Sequence, residues 1–82
     1  MFVDHWRVQR RGSTLRIDAD PGAVEHVDEM AAEIGRRVDD SIHVVRVTGQ
    51  LLEEPHRGTT ALLRRVGTIA LERGKRFQVG PI

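Results

Sequence analysis

Between residues 20 and 38 the apolar positions change period, and that change constrains the fold more than any other feature of the chain. Val24, Val27, Met30, Ala31, Ile34 and Val38 recur at the three-and-four spacing of one buried helical stripe. On the N-terminal side the period is two: Phe2, Trp6 and Val8 share one parity against Val3, His5, Arg7 and Gln9, and Leu15, Ile17 and Ala19 alternate with Thr14, Arg16 and Asp18. Gly12 and Ser13 separate these two runs and supply turn chemistry, so residues 2–19 read as a β-hairpin. Asp20-Pro21-Gly22 then starts the helix, because the Asp carboxylate can accept from amides of the first turn and Pro at the first position sacrifices no hydrogen bond. The polar side runs from Glu25, Asp28, Glu29 and Glu33 to Arg36 and Arg37, the order that the helix dipole favours.

Ile42, Val44, Val45 and Val47 form a β-branched run too short for a helix and apolar on both parities, which predicts a central strand covered on both faces. Residues 49–58 read as a connecting loop. For the last quarter two readings stand. Thr59 or Thr60 as N-cap, followed by Leu62, Leu63, Val66, Ile69 and Ala70 with Gly74 beyond, predicts a second helix. Gly67 and Thr68 suit the rival, a hairpin pairing residues 65–72 with 75–80. Phe77 to Val79 is a strand in either case, ended by Gly80 and Pro81. The expectation is a single α+β domain over residues 1–82, of order ββαβαβ, with one long and one shorter helix on a small sheet. Its expected core is Trp6, Val8, Leu15, Ile17, Val24, Val27, Met30, Ile34, Val45, Val47, Leu62, Val66 and Ile69.

With two Phe, one Trp and no Tyr in 82 residues, that core is aliphatic and thin. There is no cysteine, so no disulfide or thiolate metal site can staple it. The first eleven residues carry Asp4, Arg7, Arg10 and Arg11 and lack a signal-peptide core, and no stretch has the length of an apolar membrane span, so an intracellular soluble protein is expected.

Chemistry-bearing constellations are sparse. The four histidines, at 5, 26, 43 and 56, show no paired metal-ligand spacing. Glu53, Glu54 and His56 share one loop, where a solvated acidic turn is the simpler reading. Ser13 and Ser41 lack the setting of a nucleophile, and Gly67 to Lys75 does not space a phosphate-cradling loop. His56, Arg57, Gly58, Thr59 and Thr60 would place cations by free amides if a helix starts there. No catalytic residue, cofactor, metal or small-molecule substrate is expected.

The net charge of +1 conceals blocks. Residues 1–16 carry four basic groups and one acidic, residues 17–54 carry three and ten, and residues 55–82 carry six and one. Arg7, Arg10, Arg11, Arg57, Arg64, Arg65, Arg73, Lys75 and Arg76 make a candidate basic patch. Asp28, Glu29, Glu33, Asp39, Asp40, Glu53 and Glu54 make a candidate acidic face. A basic pole that meets the acidic pole of the next copy gives heterologous contacts, which close into a ring when the rotation permits. The function expected is therefore a non-enzymatic structural or assembly protein acting through homo-oligomeric and partner contacts. Nucleic-acid binding by the basic patch is the alternative, although stacking aromatics and known module signatures are missing.

Two resemblances bear on this. Val44-Val45-Arg46-Val47-Thr48-Gly49-Gln50-Leu51 resembles the valine-rich strand and Gly turn of anti-sigma-factor-antagonist domains, whose phosphorylated serine loop has no counterpart here. The order of Leu15 to Ala19, the Asp20 to Val38 helix, Ile42 to Thr48 and the Arg-rich Arg57 to Arg76 segment resembles the small neck proteins of actinobacterial tailed phages, which join head to tail. That resemblance implies a virion protein present as a ring of copies around a DNA passage, with no site residue carried over.

Overall fold

The computed structural model describes residues 5–54 and 57–80. Strands β1 (Trp6–Arg11) and β2 (Thr14–Ala19) are followed by a 3-10 helix (Pro21–His26), helix α1 (Val27–Arg37), strand β3 (Val44–Thr48), a short helix α2 (Gln50–Glu53), helix α3 (Thr59–Glu72) and strand β4 (Arg76–Val79). The four strands form one sheet in the order β1-β2-β3-β4. β1 and β2 pair antiparallel as the expected hairpin, from Trp6 opposite Ala19 to Arg11 opposite Thr14. β3 pairs parallel with β2, and β4 parallel with β3. The turn of the hairpin also docks β3, since the Ser13 carbonyl accepts from the amides of His43 at 2.7 Å and Val44 at 3.2 Å.

Both parallel crossovers advance across the sheet in the same direction, and α1 and α3 pack on each other over one of its faces. Leu15, Ile17, Ala19, Val45 and Val47 point from the strands into that layer, where they meet Met30 and Ile34 of α1 and Leu62, Val66 and Ala70 of α3. Each fully buried large side chain contributes about 1.5–3 kcal/mol, and these supply most of what holds the layers together. Trp6, Val24, Val27 and Ile69, expected in the core, pack against it while partly exposed. Leu51, Ile42, Val38, Ala19, Ala23 and Ala70 belong to it as well.

The α and β class stands, with four strands and helices on the sheet, but several details differ from expectation. The helix that Asp20 starts opens as a 3-10 segment; Asp20 Oδ1 accepts from Gly22 N at 2.8 Å, and the backbone breaks at His26 (φ −128°, ψ 32°) before α1 begins. Tight 3-10 turns at helix starts are common. Part of the expected loop is helical: α2 exists because Leu51 is fully buried beneath it. The hairpin alternative for residues 65–80 is overturned, since residues 65–72 are helical throughout, and Gly58 rather than Thr59 or Thr60 is the N-cap of α3. The second face of β3 is covered only in part: Val45 and Val47 are buried, whereas on the other parity Val44 and Arg46 are half-buried and Thr48 is buried. Phe2 and the beginning of the expected first strand lie outside the described residues.

Among the described residues no helix is long and apolar enough to cross a membrane.

Candidate interaction surface

Because the helices occupy one side of the sheet, every second strand residue faces away from them. β1 presents Arg7, Gln9 and Arg11, β2 presents Thr14, Arg16 and Asp18, β3 presents Val44, Arg46 and Thr48, and β4 presents Arg76 and Gln78. Those of β1 and β4 are exposed, those of β2 are half-buried, and on β3 Val44 and Arg46 are half-buried and Thr48 is buried. Parallel sheets ordinarily carry a layer on both faces, and an uncovered one must be polar. Here the polarity is one-sided: five arginines against one carboxylate, Asp18.

Register arranges these groups in rows. The central row runs Gln9, Arg16, Arg46 and Gln78 across all four strands. Arg11, Thr14, Val44 and Arg76 form the next row, and Arg7, Asp18 and Thr48 the row at the other end. With strands ~4.8 Å apart and a rise of ~3.4 Å per residue, Arg7, Arg11 and Arg76 outline an area about 14 Å on a side with Arg16 and Arg46 inside it.

Arg16 and Arg46 are direct partners on adjacent strands, and like charges placed so are mutually destabilising. Arg16 is steadied by Asp18, with Nη2 3.5 Å from Oδ1, and by Thr48, whose Oγ1 accepts from Nε at 3.3 Å. The Thr48 hydroxyl in turn donates to Asp18. Arg46 has no such help. Its Nε is buried and has no hydrogen-bond partner among the described residues. Leaving a buried charged donor unsatisfied costs about 1–3 kcal/mol or more. A shallow recess of about 630 Å³ opens along β1 beside Arg16 but away from Arg46, bordered by Val8, Gln9, Arg10, Arg11, Asp18 and Arg37.

The nine basic residues expected to form a patch are divided between surfaces. Arg7, Arg11 and Arg76 stand on the uncovered sheet face. Arg10 points to the helix side, with Nε donating to the Gly12 carbonyl at 3.0 Å and Nη1 3.9 Å from Asp39. Arg57 is exposed in the turn before α3, and Arg64 and Arg65 are exposed on α3, Arg65 reaching Asp28 at 2.8 Å. Arg73 donates to the carbonyls of Gly35 at 2.6 Å and Val38 at 3.2 Å, satisfying the open C-terminal end of α1. Lys75 lies between α3 and β4. Arg16 and Arg46 were not among the nine. Their signal was present in the alternation of Leu15-Arg16-Ile17 and Val45-Arg46-Val47, but it needed the knowledge that one face of the sheet is bare.

The acidic residues do not form one face either. Asp28 and Glu29 are exposed at the start of α1, and Glu33 is half-buried where it accepts from Trp6 Nε1 at 2.9 Å. Asp39 and Asp40 sit in the α1–β3 connection, and Glu53 and Glu54 at the end of α2. Asp39 accepts from the hydroxyl and the amide of Ser41, and these bonds, with Arg10 assisting, hold its carboxyl below the usual carboxylate range.

Histidines that are isolated in sequence meet in space. His5 and His26 stack with ring centroids 5.6 Å apart, and His5 Nδ1 lies 3.1 Å from Asp20 Oδ1. No group of three or more metal-ligating side chains occurs among the described residues. Of the expected anion site before α3, Gly58 makes no side-chain cap, Thr59 is buried, and His56 lies outside the described residues. The strand order moves steadily from β1 to β4, so the parallel part of the sheet has no point of reversal, the place where open α/β sheets ordinarily hold ligands.

Comparison with protein-family models and with curated proteins gives no match for this chain.

Proposed function

We propose that the chain is a non-enzymatic interaction module whose working surface is the uncovered sheet face, docking an anionic macromolecular partner. The observation that carries this reading is the central Arg16–Arg46 pair: two guanidinium groups placed side by side, one with an unsatisfied buried Nε, at the middle of a bare polar face. An anion bound between them relieves the repulsion, because a guanidinium fork matches carboxylate and phosphate oxygens equally well.

The test compares positions on the two layers. Retention on a heparin column should fall clearly for Arg16→Gln and Arg46→Gln, and little for Arg64→Gln on the opposite layer. Equal losses at all three positions would show a response to net charge alone and remove the sheet face as the working surface.

A second reading, head-to-tail assembly of copies, is supported by the position of Asp28 and Glu29, exposed on the layer opposite to the arginine face. The ring implied by the resemblance to phage neck proteins is one such assembly. Light scattering that finds only monomer at high concentration would eliminate it.

A further inference from the structure

We infer that the partner of the arginine face is the phosphodiester backbone of a single-stranded nucleic acid, bound across the strands without selection among bases. The inference rests on the sheet face being the working surface and adds the identity of what occupies it.

Three observations favour a nucleic acid over an acidic protein. The face has almost no apolar surface: Val44 is its single aliphatic side chain and is only half-buried, and it carries no aromatic group. Protein interfaces are energetically centred on desolvated apolar and aromatic anchors, whereas nucleic-acid interfaces are polar and strongly positive. Gln9 and Gln78 close the central row at both edges with amides that can both donate and accept, as contacts to sugar hydroxyls and phosphates use. Charge complementarity points the same way: five guanidinium groups against one carboxylate lie within an area about 14 Å across, facing a polymer that carries one negative charge per nucleotide.

Two further features choose the form of nucleic acid. A four-stranded sheet with its side chains is wider than the ~12 Å major groove, and both long helices lie on the far side of the sheet, so no element is placed to enter a duplex. Absence of aromatic groups on the face removes the stacking that supplies part of the affinity of other single-strand binders, and leaves backbone contact, which does not depend on base identity.

Fluorescence anisotropy with a labelled 16-nucleotide single-stranded DNA of mixed sequence tests the inference directly. Binding should weaken steeply with salt, with a log–log slope of about −3 when four to five of the arginines each neutralise one phosphate. Arg16→Gln and Arg46→Gln should each weaken it roughly tenfold and make the slope shallower by about 0.7, with Arg64→Gln unchanged. A scrambled sequence should bind within about threefold of the first, given backbone-only contacts. Circular dichroism of each variant separates lost binding from lost folding. A duplex that binds more tightly than the single strand, or a scrambled strand that binds tenfold differently, overturns the inference. Poly-L-glutamate binding in place of the oligonucleotide overturns it too but leaves the sheet face as the working surface; if neither polyanion binds, both readings fall.

Discussion

A β-carbon built on Gly67 would lie 3.1 Å from Cδ2 and Cε2 of Phe77, tighter than ordinary van der Waals contact, so α3 seats this closely on β4 because residue 67 has no side chain. Gly in a helix interior costs about 1 kcal/mol relative to Ala, and here that cost permits the close approach of helix to strand. Gly67→Ala should therefore fail to gain the propensity term, and its urea midpoint should be no higher than that of the parent chain. Gly67→Val should lose about 1–3 kcal/mol by overpacking. Relief should come from shrinking the ring: in a Phe77→Ala background Gly67→Ala should become stabilising. A Gly67→Ala variant of the parent chain that gains the full 1 kcal/mol would show that the ring does not constrain the helix.

Gly49 is held more tightly still. It takes φ +110°, and a β-carbon there would lie 2.6 Å from the Ala19 carbonyl oxygen and 2.8 Å from the Ala19 nitrogen. Both obstacles are backbone atoms of the neighbouring strand, which cannot rotate aside. Gly49→Ala should cost about 3 kcal/mol or more, a large fraction of the stability of a domain this small. Denaturant unfolding would sink this expectation by finding a change under roughly 0.5 kcal/mol.

Trp6 and Glu33 tie the edge strand to α1 through the 2.9 Å bond from Nε1 to Oε1. Trp6→Phe removes the donor and Glu33→Ala the acceptor, and the double-mutant cycle should show a coupling of about 1 kcal/mol for a partly exposed hydrogen bond to a carboxylate. Additive single losses, within roughly 0.3 kcal/mol, would mean that the bond contributes nothing to stability.

Asp39 supplies a pH dependence with a defined sign. Its carboxyl is lowered by the Ser41 hydroxyl and amide, so its charged form favours the folded state at neutral pH, and that contribution is lost as pH falls through the folded-state value. Ser41→Ala removes the larger cause. NMR titration of the Asp39 carboxyl should then show its pKa moved upward, and the difference in stability between variant and parent should be present at neutral pH and vanish in acid. An unmoved Asp39 titration would assign the lowering elsewhere.

Much of this fold is legible in the residues. Leu15, Ile17 and Ala19 on one parity and Met30 and Ile34 on one stripe are buried as their spacing requires, and Asp20 caps where its side chain predicts. Such features rest on local chemistry, which a short window contains. What misled was chemistry whose partner is remote. Gly67 argued against a helix until Phe77 was placed beside it, and Leu51 looked like a loop residue until the core beneath it was visible. The valines of β3 suggested cover on both faces because their number, rather than the direction of the next crossover, was all the sequence offered. The same holds for the surface: Arg57, Arg64, Arg65 and Arg73 are close to one another in composition and in sequence, yet they sit on the helix layer and not with Arg7, Arg11 and Arg76.

By itself the sequence determined the hairpin, the first long helix with its inward stripe, the valine-rich strand and the absence of cysteine chemistry, all consequences of period and composition. The tertiary structure alone decided that both crossovers pass over one side of the sheet. From that single choice follow the bare face, the register that sets Arg16 against Arg46, and the separation of the remaining basic residues onto the other layer. Period assigns a residue to one of two faces of a strand; only the packing of the helices determines which face meets water.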